Sequence, residues 1–254
     1  MSETRNDLPA LDIVTPEDLR TLIYGSLRDM RAERDAKRGE TKLWSPSSLG
    51  SCIRKRVMLV DGGFPQNPKD DEVLLTQAYG DEVEGIVNRI LARARERYTL
   101  NCTIYYQGRT TSGTFDILLV FAGAGGAWGV MVDVKSNNAK AFYYAKKGKD
   151  DHRMQISRYA REVSEEEFTV KFEQADGTRL QVSRPAIPFK ACWIVEVDKE
   201  YGGMHMDVLH DGPAIGTEVD EEGKLKPDLH SMAYWYDQGV EWIKGVEAAQ
   251  AHYL

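Results

Sequence analysis

The chain has 254 residues, of which 42% are hydrophobic, with a formal charge of −7 and three cysteines. That is enough apolar material for one large α/β domain or two small ones. No apolar run reaches membrane-spanning length, the N-terminus "MSETRNDLPALD" lacks a signal pattern, and Cys52, Cys102 and Cys192 are too few and too scattered for a disulfide framework or a zinc ribbon.

The charge is unevenly spread. Arg28 to Arg56 holds nine basic and four acidic residues, Lys135 to Arg161 eight and two, and Glu162 to the end eight and nineteen. The acidity belongs to the C-terminal third, and two basic stretches remain as candidate phosphate contacts.

In chain order, Thr15-Pro16-Glu17-Asp18 opens a helix, with Thr as cap and Pro at the first helical position. Leu19, Leu22, Ile23, Leu27 and Met30 recur at helical spacing up to Gly39. "SPSSLGSCIRKRVMLVDG" predicts a short second helix carrying Leu49, Cys52, Ile53 and Val57. In "TQAYGDEVEGIVNRILARARERY" the positions Val83, Ile86, Val87, Ile90, Leu91 and Ala94 form a helical stripe.

The period then changes. "TIYYQG", "GTFDILLVF" and "AWGVMVDVKS" read as three consecutive antiparallel strands separated by Gly-containing turns. "DDHRMQISRYAREV" predicts a helix whose inner face is Ile156, Ala160 and Val163. A hairpin around Asp176-Gly177, a central strand at "KACWIVEVDKE", an edge strand at "GMHMDVLH" and a long helix from about Leu229 complete the chain. That helix carries Leu229, Met232, Ala233, Tyr236, Val240 and Ile243 at helical spacing. The simplest partition is a single domain over 1–254, with an N-terminal helical extension (1–44), a core (45–210) and a C-terminal helical segment (211–254).

Within "VMVDVKS", alternation puts Asp133 and Lys135 on one strand face and Val132 and Val134 on the other. If the two strands pair through the Gly123 to Gly126 turn, Asp116 at the start of one meets Asp133 near the end of the other. Two adjacent carboxylates repel unless a cation sits between them, and hard oxygen ligands suit magnesium or manganese. An ammonium beside that cation can orient or help deprotonate a water while offsetting phosphate charge. The plainer reading of the same residues is three surface charges on two strand ends. Gln155 and Tyr159, four apart, share one face of the following helix.

Gly113-x-x-Asp116, Asp133-x-Lys135 and Gln155-x-x-x-Tyr159, in that order on strand, strand and helix, resemble the PD-(D/E)XK nuclease superfamily. The Gln-x-x-x-Tyr element resembles its RecB-like branch, which includes phage exonucleases and CRISPR-associated iron–sulfur nucleases. The motifs span roughly Ser45 to Tyr159. The resemblance implies a restriction-endonuclease-like α/β core, a mixed central sheet with an antiparallel hairpin carrying the site and helices on its flanks.

It further implies that Asp116, Asp133 and the Val134 carbonyl ligate a catalytic Mg2+ or Mn2+. Lys135 would serve the nucleophilic water, and Gln155 and Tyr159 would line the site, touching the substrate backbone or supporting the metal-bearing strand. Many relatives carry a histidine four residues after a helical glycine. Here Gly80 is followed at that spacing by Glu84, read as a replacement metal ligand or as an exposed helix acid, with Glu82 as the alternative register.

Iron–sulfur members carry a cysteine near "SPSSLGSCIRKRVM" and three more near the C-terminus, where this chain has only Cys192. A cluster is therefore not expected, and Cys52 reads as a packed thiol. Arg54, Lys55, Arg56, Lys140, Lys146 and Lys147 are candidate DNA contacts, and Tyr143 and Tyr144, in a basic loop, are candidates for stacking on bases. His152, His205, His210 and His230 lack ligand spacing and read as incidental.

The expected function is a Mg/Mn-dependent deoxyribonuclease, an exonuclease of phage or mobile-element DNA recombination or repair. It would act on single strands or duplex ends in a bacterial or phage-infected cytoplasm, away from membranes. A second copy of the chain or a recombination partner protein is an open addition. Two alternatives stand beside it: a nuclease-fold module that binds nucleic acid or protein without cutting, and a structure- or site-specific endonuclease.

Overall fold

The apolar alternation of residues 126–137 builds the strand around which the fold is organised. In the computed structural model the described residues are 16–38, 49–53, 57, 71–98, 101–103, 105–107, 115–123, 126–173 and 179–253. They form five helices: α1 (Pro16–Arg38), α2 (Asp71–Tyr98), α3 (Ala139–Ala145), α4 (Asp150–Glu165) and α5 (Met232–Tyr253). Ten strands accompany them: β1 (Asn101–Thr103), β2 (Tyr105–Gln107), β3 (Ile117–Gly123), β4 (Gly126–Asn137), β5 (Phe168–Glu173), β6 (Arg179–Arg184), β7 (Phe189–Asp198), β8 (Met204–His210), β9 (Ile215–Val219) and β10 (Leu225–Pro227).

The chain divides into two compact units, one over 1–40 and 67–78 and the other over 41–66 and 79–254. In the first, α1 leaves Ile23 and Met30 of its expected inner stripe exposed, while Leu74 is buried. No helix among the described residues is long and apolar enough to cross a membrane.

The second unit is a mixed α/β structure. Its main sheet runs β1-β3-β4-β7-β8. β3 and β4 pair antiparallel from Ile117↔Val132 to Gly123↔Gly126, β4 and β7 pair parallel, and β8 runs antiparallel to β7. Both faces of the centre are covered, which is why its strands are almost continuously apolar. On one face Leu118, Met131, Ile194 and Leu209 pack with Ile156, Tyr159, Ala160 and Val163 of α4 and Trp235 of α5. On the other, Ile117, Val130, Val132, Val134 and Val195 meet Val83 and Val87 of α2.

Several expectations needed correction. Of the strand expected at "TIYYQG", residues 105–107 leave the main sheet and join β5 and β6 in a second one, and Asn101–Thr103 pairs with β3 instead. The β5–β6 hairpin is present, with its turn outside the described residues. Val83 and Val87 of the expected α2 stripe face the core, whereas Ile86 and Ile90 are exposed, because the apolar arc is wider than the surface that covers it; the side chains of Leu91 and Ala94 lie outside the described ones. Residues 139–145, expected as a loop, form α3, capped by Asn138, whose side chain accepts from the Ala141 N–H.

The C-terminal helix begins at Met232, not Leu229. The Ser231 hydroxyl accepts from the N–H groups of Ala233 and Tyr234, and Trp235 replaces exposed Ala233 in the core. The β9–β10 hairpin went unforeseen. Cys192 is buried as expected, but Cys52 is exposed.

Between α3 and α4, Gly148 has φ +77°, and a Cβ there would run into the Arg153 guanidinium. Arg153 is buried and donates twice to buried Asp207, at 2.6 and 3.0 Å. A Gly148→Ala change therefore strains the backbone and displaces one partner of a buried ion pair. We expect a loss of about 2 kcal/mol, measured by chemical denaturation against wild type; unchanged stability would contradict this reading of the turn.

Candidate active site

Asp116 lies one residue before β3, one step beyond the Ile117↔Val132 pair, and so beside Asp133 of β4. Its Oδ2 accepts the Val134 N–H at 2.7 Å. A strand residue points its N–H and C=O to the same edge, so the Val134 carbonyl faces that edge too. Asp133 is 1% exposed, on the α4-facing side of the sheet. Its Oδ2 is 2.8 Å from Lys135 Nζ, yet makes no well-directed hydrogen bond with any described residue. Lys135 Nζ donates to Gln155 Oε1 at 3.2 Å, so α4 reaches the site through Gln155.

Burial, then the charge of Asp133, then that of Glu84 push the Asp116 carboxyl well above the ordinary carboxylate range; Lys135 and the Val134 N–H only partly oppose them. Burial would pull the Lys135 ammonium down, but Asp133, Asp116 and Glu196 outweigh it and hold it above its usual value. Lys135 is therefore a cation at neutral pH, suited to orienting a water and offsetting charge rather than to removing a proton.

Asp116, Asp133 and Glu84 are three carboxylates in electrostatic contact, with one buried oxygen not saturated by hydrogen bonds. This donor chemistry fits a hard divalent cation. Among the described residues no three His, Cys, Asp or Glu side chains already stand at ligand spacing, and the Lys135 ammonium occupies the flank of Asp133. A cation would draw the carboxylates in.

The remaining candidates divide. Glu84, half-buried on α2, belongs to this group by its effect on Asp116, whereas Glu82 is exposed. Tyr159 is 1% exposed and packs edge-on against Phe115 at 6.0 Å, next to the Asp116 segment. Tyr143 and Tyr144 are 65% and 55% exposed on α3, with ring centres 5.5 Å apart. Lys140, Lys146 and Lys147 are exposed nearby, with Lys146 Nζ over the Phe142 ring. Arg54, Lys55 and Arg56 lie outside the described residues.

A neighbouring cluster escaped the sequence reading. Glu196 of β7 pairs in register with Lys135 and is almost wholly buried. It contacts His152 Nδ1 at 2.9 Å and accepts from Asn137 Nδ2, while Asn137 Oδ1 accepts from Lys149 Nζ at 3.2 Å. Burial would raise the Glu196 carboxyl, but His152, Asn137 and Lys149 outweigh it and hold it below its usual value. His152 is thus anchored to a buried acid rather than incidental. The signal was the segment "IVEVD", which repeats the apolar and acidic alternation of "MVDVK".

No protein-family model matches the chain, and no curated protein matches it. A solved structure described as "Crystal structure of SSO0001" is similar to it, with a TM-score of 0.42 and 10% identity over 89% of this chain and 86% of that one.

Proposed function

We propose that this chain is a metal-dependent DNA nuclease with a restriction-endonuclease-like core, acting as an exonuclease in recombination or repair. The observation that carries the reading is the convergence of Asp116, Asp133, Lys135 and Gln155 from a hairpin and one helix on a single buried polar site. A binding module has no use for repelling buried carboxylates beside a lysine, which cost stability unless a ligand answers them.

Asp116, Asp133, the Val134 carbonyl and Glu84 would hold Mg2+ or Mn2+, which supplies Lewis-acid polarisation of the phosphate and a more acidic water. Lys135 orients the attacking water and offsets charge gathering on the phosphate oxygens, while Gln155 fixes its Nζ. The water oxygen bonds to phosphorus as the P–O ester bond breaks; the water gives up its proton to bulk solvent, and the departing oxygen takes a proton from solvent. Exposed Lys140, Lys146 and Lys147 attract the backbone, and Tyr143 and Tyr144 offer stacking faces to unpaired bases.

The test is incubation of purified protein with end-labelled linear DNA and with closed circular DNA, in Mg2+, Mn2+ or EDTA. The expected result is metal-dependent loss of linear DNA with the circle spared. Cleavage of the circle would make the enzyme an endonuclease, and binding without cleavage in either metal would leave only the non-cutting module.

A further inference from the structure

Beside the site, a buried acid and a buried amide hold two basic side chains whose outer nitrogens bond no other described residue. Glu196 and Asn137 are almost inaccessible, yet each bonds both to the other and to a more exposed group, Glu196 to His152 and Asn137 to Lys149. Burying a carboxylate is costly, and this one, which acts on Lys135 only through its charge, neither bonds to the Asp116 group nor caps a helix. What it does is fix two rotamers. With Nδ1 turned to Glu196, the His152 ring directs Nε2 away from the sheet, and no described residue bonds it. Lys149 spends one of its three N–H donors on Asn137.

His152 lies one helical turn before Gln155, which touches Lys135, and Glu196 stands in register with Lys135. The pair of donors therefore adjoins the site on its α4 side. Three further acids stand nearby: Asp150 and Asp151 are exposed, with Asp151 accepting the His152 N–H, and Asp198, buried and in register with Asn137, accepts the N–H groups of Glu200 and Tyr201.

We propose that His152 and Lys149 form a phosphate subsite that binds the backbone phosphate next to the scissile one, with Glu196 and Asn137 as its buried braces. The inference rests on the nuclease reading above. The braces fix both side chains in advance, so little rotamer entropy is lost when a phosphate arrives. With Nδ1–H on Glu196, His152 presents a second N–H at Nε2 as the imidazolium, and that cation beside the Lys149 ammonium suits a phosphate oxygen pair.

The test is fluorescence anisotropy of the full chain with a short fluorescein-labelled single-stranded DNA in EDTA, across a salt series. His152→Ala and Lys149→Ala should each weaken binding about threefold to tenfold and flatten the log–log salt slope by about one unit. Glu196→Gln should weaken binding as His152→Ala does, and the two together should add little, since the acid acts through the histidine. A merely structural role would leave the salt slope of His152→Ala unchanged.

His152→Ala and Lys149→Ala proteins that bind with wild-type affinity and slope overturn the subsite, and they do so whether or not Glu196→Gln folds. If that result comes with normal wild-type cleavage, the nuclease reading survives alone. A wild type that neither binds nor cuts DNA removes both.

Discussion

Asp133→Ala and Lys135→Ala are each expected to lower DNA cleavage in magnesium by about a thousandfold or more, roughly 4 kcal/mol of transition-state stabilisation, while keeping most DNA affinity. Lys135 is the cation of the site, held at 2.8 Å from Asp133 and 3.2 Å from Gln155. In the proposed mechanism its loss removes a fixed charge where phosphate charge would gather. Loss of Asp133 removes the most buried of the carboxylates and leaves the Lys135 ammonium with Gln155 as its hydrogen-bond partner. Single-turnover cleavage and anisotropy binding on the same DNA separate the two effects. Variants that cut at wild-type rates would remove both residues from the mechanism.

Asp116→Asn should abolish cleavage and, in EDTA, make the protein more stable by about 1 kcal/mol, or about 2–4 °C in Tm for a chain of this size. The reason is the raised Asp116 carboxyl, which burial and its acidic neighbours oppose when charged. Asparagine keeps an oxygen for the Val134 N–H without the charge.

The same cause sets a pH dependence. A carboxyl raised above its unfolded value contributes stability that is full below that value and is lost as pH rises through the folded one. Metal-free wild type therefore loses this contribution as pH rises above the ordinary carboxylate range through the raised Asp116 value, and Asp116→Asn does not. Magnesium should restore stability to wild type at neutral pH, about 2.7 kcal/mol at a hundred times its Kd, and much less to the variant. Thermal melts in EDTA and in magnesium at two pH values test this. An Asp116→Asn protein less stable than wild type in EDTA would contradict the electrostatic account.

What the sequence shows of this site is what is local to it. The alternation in "VMVDVKS" places Asp133 and Lys135 on one face, and the short connection between β3 and β4 leaves little freedom of register, so Asp116 follows. The spacing of Gln155 and Tyr159 puts both against the sheet, but spacing cannot tell a residue that reaches Lys135 from one sealed in the core beside Phe115.

Glu196 was missed for a different reason. Its strand shows the same alternation, but its partner β4 lies across a long parallel crossover whose register no local feature specifies. His152 looked incidental because the acid that holds it is 44 residues away. The exposed Ile86 and Ile90 show the opposite limit: periodicity marks a helix face, while burial depends on what the rest of the chain brings to it. Asn138, by contrast, was a readable cap, and α3 could have been expected from it.

The central claim is that Asp116 and Asp133 share a divalent cation. The most direct measurement is a crystal structure of the protein grown with manganese, with anomalous data to identify the ion. The account predicts a peak between the two carboxylates, near the Val134 carbonyl, with Lys135 drawn off Asp133. Carboxylates that stay apart, with no peak and Lys135 still paired to Asp133, would contradict it.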